Sequence, residues 1–193
     1  MSALTAALIA AADTLEASAD ELTRLDALQG DGDLGRTAGL IALAVRQACA
    51  DSPDDPVALL RGCGAKIAAT APSSSGTLVA SGFLAAAKAL SENGEDPLVV
   101  GLRAGILGIQ HRGKSAPGDR TMLDALAPAL TRLEADPKDR QGAAAAAEMG
   151  IEATRTMTAK FGRARFLALN AAGEPDPGAV MVGRALASGL RVA

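Results

Sequence analysis

The chain is predicted to be all-helical, an eight-helix antiparallel bundle or barrel. Three observations carry this. Apolar residues recur at helical spacing along almost the whole of the 193 residues, and no run of alternating β-branched residues supports a sheet. Hydrophobic residues make up 49%, yet Trp and Tyr are absent and Phe occurs three times, so alanine and leucine must build the core. Alanine is the best helix former and allows helices to approach closely.

The first helix is expected over about residues 2–25, capped by Ser2 or Thr5, with Leu4, Leu8, Ala11, Leu15 and Leu22 near one face. A glycine-rich acidic stretch breaks it. The second spans about 33–50 and stops at DSPDDP; the third covers about 57–70 and stops at APSSSG. The fourth runs about 75–90, to SENGEDP, and the fifth about 98–112, to RGKSAPGD. The sixth spans about 120–134 with Pro128 inside as a kink, and the seventh about 138–160. Residues 161–178 read as mostly irregular, and an eighth helix covers about 178–188. The length suits one domain over 1–193.

Net charge is −3, from 19 basic and 22 acidic residues, with no long Lys/Arg run. With no aromatic stacking platform either, a nucleic-acid surface is excluded. Cys49 and Cys63 have no zinc spacing and read as buried free thiols. The N-terminus lacks a basic region and is interrupted by Asp13 and Glu16, so it is neither a signal peptide nor a membrane span, and the expected compartment is the cytoplasm.

Short loops imply antiparallel neighbours, so the breaks after helices 1, 3, 5 and 7 share one end. Those breaks, 26–35, 72–77, 112–121 and 162–178, are the chemically loaded ones. In DALQGDGDLG, three carboxylates, Asp26, Asp31 and Asp33, fall within eight residues, among Gly30, Gly32 and Gly35. Converging carboxylates repel unless cations intervene, and magnesium prefers oxygen ligands with phosphate and water. A calcium loop is excluded, because Ala42 or Thr37 stands where the bidentate Glu is needed. The plain alternative is a solvated turn in which Asp33 caps the second helix. APSSSG places serines before a helix N-terminus, which suits phosphate oxygens or a simple serine cap. It is not a Walker loop. RGKSAPGDRTM supplies Arg112, Lys114 and Arg120 as candidate phosphate cations, with Thr121 as a cap or ligand contact. His111, the single histidine, has no orienting partner in the sequence and reads as a helix-end residue. Arg163, Arg165 and the Asp176–Pro177–Gly178 turn complete the set; the turn can face a ligand or cap the last helix.

Together, DALQGDGDLG, SSSG, RGKSAPGDRTMLDALAPAL, GRARFLAL and EPDPGAV occur in the order found in the nucleotide-binding domain of dihydroxyacetone kinases, the DhaL or DAK2 family, which the chain resembles over nearly its whole length. The resemblance implies an eight-helix barrel with ADP or ATP at one end. It implies that Asp26, Asp31 and Asp33 hold two Mg2+ ions bridging the phosphates. It carries nucleotide contacts onto Ser74, Ser75, Gly113, Thr121, Met122, Arg163, Asp176, Pro177 and Gly178, with Arg163 in a catalytic role. It further implies a free-standing subunit working with a DhaK-like substrate-binding partner, and with a DhaM-like phosphocarrier where ADP is retained, in a homodimer or heterotetramer. The family often has His after GDGD where this chain has Leu34, and a Gly-Gly-rich loop where it has APSSSG. Both changes bear on nucleotide handling rather than on metal binding. The competing readings are a non-catalytic nucleotide-binding module of the same fold, a kinase subunit for another short ketose, and a helical barrel whose Ala/Leu interior holds a lipid or other hydrophobe.

Overall fold

The computed structural model describes residues 1–51, 54–91, 96–167 and 173–192. Parts of the DSPDDP and SENGEDP turns (52–53 and 92–95) and residues 168–169 of GRARFLAL lie outside them. The described residues contain nine α-helices and no strand: α1 Ala3–Ala17, α2 Ala19–Ala27, α3 Leu34–Asp51, α4 Pro56–Thr70, α5 Ser74–Leu90, α6 Pro97–Gly113, α7 Leu123–Ala135, α8 Arg140–Ala153 and α9 Pro177–Val192. Each long helix packs on its neighbours in chain order, and α1 closes the ring against α9. The result is eight antiparallel rods, because α1 and α2 form one broken rod.

That break corrects the single first helix expected from the sequence. The periodicity runs on through Leu22 and Leu25, both fully buried, so it carries no trace of an interruption. The chain restarts after Ser18 with Asp20 and Glu21 in the first turn of α2, where acidic side chains favour a helix N-terminus, and Glu21 is held by Arg184 of α9. At the same place α3 crosses closely. A methyl group on Gly35 would strike the Ala19 carbonyl and the Thr23 hydroxyl.

The seventh predicted helix also ends early. It stops at Ala153 rather than 160 and passes into a 3-10 turn, Thr154–Thr156. The Thr154 hydroxyl takes part in both directions, donating to the Ile151 carbonyl (2.5 Å) and accepting from the Asp176 N–H (2.8 Å). Such local side-chain bonds compete with helix continuation. The sixth helix begins at Leu123, not 120, because Arg120 has a left-handed backbone (φ 59°). Pro128 lies inside it. The last helix is longer than expected and reaches Val192.

Capping follows the sequence. Ser2 accepts from Thr5 N–H (3.1 Å), while Asp55 and Asp96 cap α4 and α6, each followed by proline. The core is dominated by Leu and Ala, among them Leu59, Leu123 and Leu133 with 1% exposure or less; each such leucine contributes roughly 1.5–3 kcal/mol through burial. Cys49 and Cys63 are buried free thiols, and burial pushes Cys63 up to about 12. No described helix is long and apolar enough to cross a membrane.

Candidate nucleotide and metal site

Asp26 belongs to the last turn of α2; Asp31 and Asp33 follow it in the turn before α3. One ligand atom from each of the three lies within 4.8 Å of the others. Asp26 is half-buried, and its carboxyl is pushed above the ordinary range by burial, with Asp31 and Asp33 adding repulsion. Its Oδ2 accepts the Leu34 N–H at 3.3 Å. Asp26, not Asp33, therefore satisfies the first amide of α3. Asp31 is exposed and forms an ion pair with Arg163, whose guanidinium holds its carboxyl below the usual range. Gly30 lets Asp26 sit where it does, since a Cβ there would stand 2.5 Å from Asp26 Oδ1.

The donor set fits magnesium. Three hard carboxylate oxygens converge, one of them raised in pKa by a low-polarity setting and like charges, and a backbone without a Cβ leaves them room.

The four loaded breaks are tied to one another. Thr37 at the start of α3 donates to the Ser73 hydroxyl (3.2 Å). Ser73, rather than Ser74 or Ser75, is the N-cap of α5 and accepts from the Gly76 N–H (3.0 Å). Ser74 and Ser75 occupy the first turn, where N–H groups lack helical partners. The Cβ position of Gly113 lies 3.1 Å from Leu78 of α5, which brings the end of α6 alongside. Arg163 reaches Asp31, and Arg24 of α2 pairs with Glu174 at 3.1 Å. The Cβ position of Gly178 is 3.7 Å from the Met122 nitrogen, so the Thr121–Met122 and Asp176–Gly178 segments adjoin. The Thr121 hydroxyl, just ahead of the N-cap Met122, accepts the Leu123 N–H at 3.3 Å.

Burial separates the remaining candidates. Arg120 is only 4% exposed and donates to the carbonyls of Thr154 (3.1 Å) and Glu174 (2.9 Å), so it is a structural strut rather than a phosphate cation. Met122 is 5% exposed, which limits its contact with a ligand chiefly to backbone. Asp176 is buried, accepts from Ala179 N–H (2.8 Å) and caps α9. Leu34 has joined the core at 4% exposure. Arg112, Lys114 and His111 are exposed at the end of α6. Arg165 lies 4.4 Å from the Phe166 ring centre. Two residues escaped the sequence reading: Asp124, whose carboxylate receives the Gly118 and Thr121 N–H groups, and Lys160, 2.8 Å from Asp119. Asp124 sits three residues beyond Thr121, the only signal that it folds back on the loop.

Residues 28–189 match the DAK2 domain. The chain belongs to the DAK2 domain family. This DAK2 domain is 37% identical over 185 residues to the dihydroxyacetone kinase of Citrobacter freundii, covering 90% of this chain and 33% of that one. It is 36% identical over 183 residues to the D-erythrulose kinase of Mycolicibacterium smegmatis (88% and 32%) and 34% identical over 177 residues to the triokinase/FMN cyclase of Rattus norvegicus (86% and 31%). The crystal structure of the C. freundii dihydroxyacetone kinase in complex with AMP-PNP and Mg2+ superposes with a TM-score of 0.83 at 31% identity, over 97% of this chain and 33% of that one. The chain thus spans about a third of the length of the curated relatives it matches.

Proposed function

We propose that this DAK2 domain binds ADP or ATP with two Mg2+ ions and passes phosphate to a small ketose held by a separate DhaK-like subunit. The observation that carries the reading is the convergence of Asp26, Asp31 and Asp33 with Arg163 poised against them. The relative crystallised with AMP-PNP and Mg2+ supports the ligand class.

In this reading Asp26, Asp31 and Asp33 are the metal ligands. Bound magnesium supplies charge neutralisation between these carboxylates and the phosphate oxygens. Ser74, Ser75 and Gly113 line the phosphate side with backbone amides. Thr121, Met122, Asp176, Pro177 and Gly178 form a neighbouring wall for the nucleotide. Arg163 is the catalytic residue: an exposed guanidinium that exchanges Asp31 for charge developing on the transferred phosphate. The sugar hydroxyl is oriented and deprotonated by the partner. A retained ADP calls for a DhaM-like phosphocarrier to recharge it; an exchanging ATP does not. The relatives named for erythrulose and for dihydroxyacetone keep the short ketoses together as substrate candidates. Such chemistry belongs in the cytoplasm.

The test combines the purified chain with a DhaK-like subunit and measures phosphate transfer from ATP to dihydroxyacetone and to erythrulose. Turnover with either supports the reading. Nucleotide binding without turnover with a cognate partner favours the non-catalytic module. Light scattering of the mixture reads the assembly, homodimer or heterotetramer.

A second property of the barrel is favoured by its interior. A cavity of about 470 Å³ lies between the helices, lined by apolar side chains such as Leu8, Leu60, Phe83 and Leu102. Its lining reaches the starts of α1, α4, α6 and α8, the end opposite the acidic triad. Such a space suits an acyl chain, and organic extraction of the purified protein followed by mass spectrometry reads it.

A further inference from the structure

Two loops of the candidate site are built around charged side chains that point away from it. Asp124, 5% exposed, accepts the Gly118 N–H at 2.5 Å through one oxygen and the Thr121 N–H at 2.7 Å through the other. Both carboxylate oxygens are thereby spent on the turn that precedes α7. Within that turn Arg120 has a left-handed backbone, and this directs its side chain inward. Its guanidinium donates to the Thr154 carbonyl at the end of α8 and to the Glu174 carbonyl before α9. Thr154, fully buried, receives the Asp176 N–H, and Asp176 in turn receives the Ala179 N–H. Segment 118–122 is therefore locked to segment 173–178 through buried charge-assisted bonds rather than through apolar packing alone.

The surface so fixed carries none of the three carboxylates proposed as metal ligands. The acidic triad already addresses phosphate. The two segments contribute the half-buried Thr121 with its hydroxyl and the half-buried Gly178 backbone, neutral groups suited to a sugar and a heterocycle, while Pro177 is buried in the first turn of α9. We propose that Asp124 and Arg120 are positioning residues for the nucleoside half of the ligand, holding the two loops as one preformed wall. The inference rests on the nucleotide reading above. Buried charges are costly unless fully bonded, and what a bonded set delivers is a fixed arrangement of the groups around it.

The experiment compares ATP–Mg with tripolyphosphate–Mg, which carries the phosphates without the nucleoside, by calorimetry on wild type, Asp124→Asn and Arg120→Lys. The asparagine keeps the size but offers one acceptor instead of two. The lysine keeps the charge but cannot span both carbonyls. Each variant is expected to lose about tenfold or more in ATP–Mg affinity, the effect of a lost charged hydrogen bond, and to keep tripolyphosphate–Mg affinity within about twofold. Equal losses toward both ligands mean general structural damage and overturn the proposal, as does an unchanged ATP–Mg affinity. If the wild type binds neither ligand, the nucleotide reading itself falls. Hydrogen exchange on the wild-type chain decides independently of variant folding. ATP–Mg must protect 118–122 and 173–178 together, beyond what tripolyphosphate–Mg gives; protection of one segment alone, or of neither, overturns the proposal.

Discussion

Asp31 and Arg163 form an ion pair that joins the acidic turn before α3 to the 3-10 turn Arg163–Phe166. Both side chains are largely exposed, so the pair adds little to stability. Its significance is electrostatic. A cation of the protein already leans on the carboxylates that the proposed magnesium ions would bind, and it can be released toward phosphate when they do.

Arg163→Met is therefore expected to leave the melting temperature and the binding of ADP–Mg nearly unchanged, and to slow phosphate transfer by about 10³-fold, the scale of a lost transition-state arginine. Steady-state transfer with a DhaK-like subunit checks this. A transfer rate within a few-fold of wild type removes Arg163 from the chemistry.

Gly30→Ala tests the placement of Asp26. Its methyl group would stand 2.5 Å from Asp26 Oδ1 and 3.2 Å from the Asp26 carbonyl oxygen, so the carboxylate must move. Magnesium-dependent nucleotide affinity is expected to fall roughly tenfold to hundredfold, the usual scale for disturbing the support of a metal ligand. Circular dichroism should show the helices intact.

Asp176 gives the chain a pH dependence. Burial pushes its carboxyl from an ordinary 3.8 to about 7, against the Ala179 N–H and Arg120, which favour the ionised form. Between those values the folded state binds more protons than the unfolded chain. Stability from this group is therefore present at low pH and lost as pH rises toward about 7. Denaturant unfolding of wild type and Asp176→Asn across this range should show the wild type losing ground as pH increases, by at most about 1.4 kcal/mol per pH unit. A pH-independent difference contradicts the assignment.

The helices and the acidic triad were legible because both are local. Leucine and alanine spacing marks the rods, and Asp26, Asp31 and Asp33 lie within eight residues. The break at Ser18 was not legible, because Leu22 and Leu25 keep the apolar register while the contact between Gly35 and Ala19 comes from a different helix. The early end of α8 depends on a Thr154 hydroxyl that meets Asp176, a residue distant in sequence. Arg120 misled for the same reason. In the sequence it is a cation beside Gly and Asp; only its left-handed backbone turns it inward to the Thr154 and Glu174 carbonyls. Which serine caps α5 is not legible, since SSS offers three equivalent caps and the Thr37 contact that selects Ser73 arrives from α3.

The central claim is that the acidic triad binds nucleotide through magnesium. Calorimetric titration of ADP into wild type and Asp31→Ala, with Mg2+ and with EDTA, tests it most directly. Wild type should bind only with Mg2+, and Asp31→Ala, still folded, should show no magnesium-dependent binding. An Asp31→Ala chain with unchanged ADP–Mg affinity would contradict it.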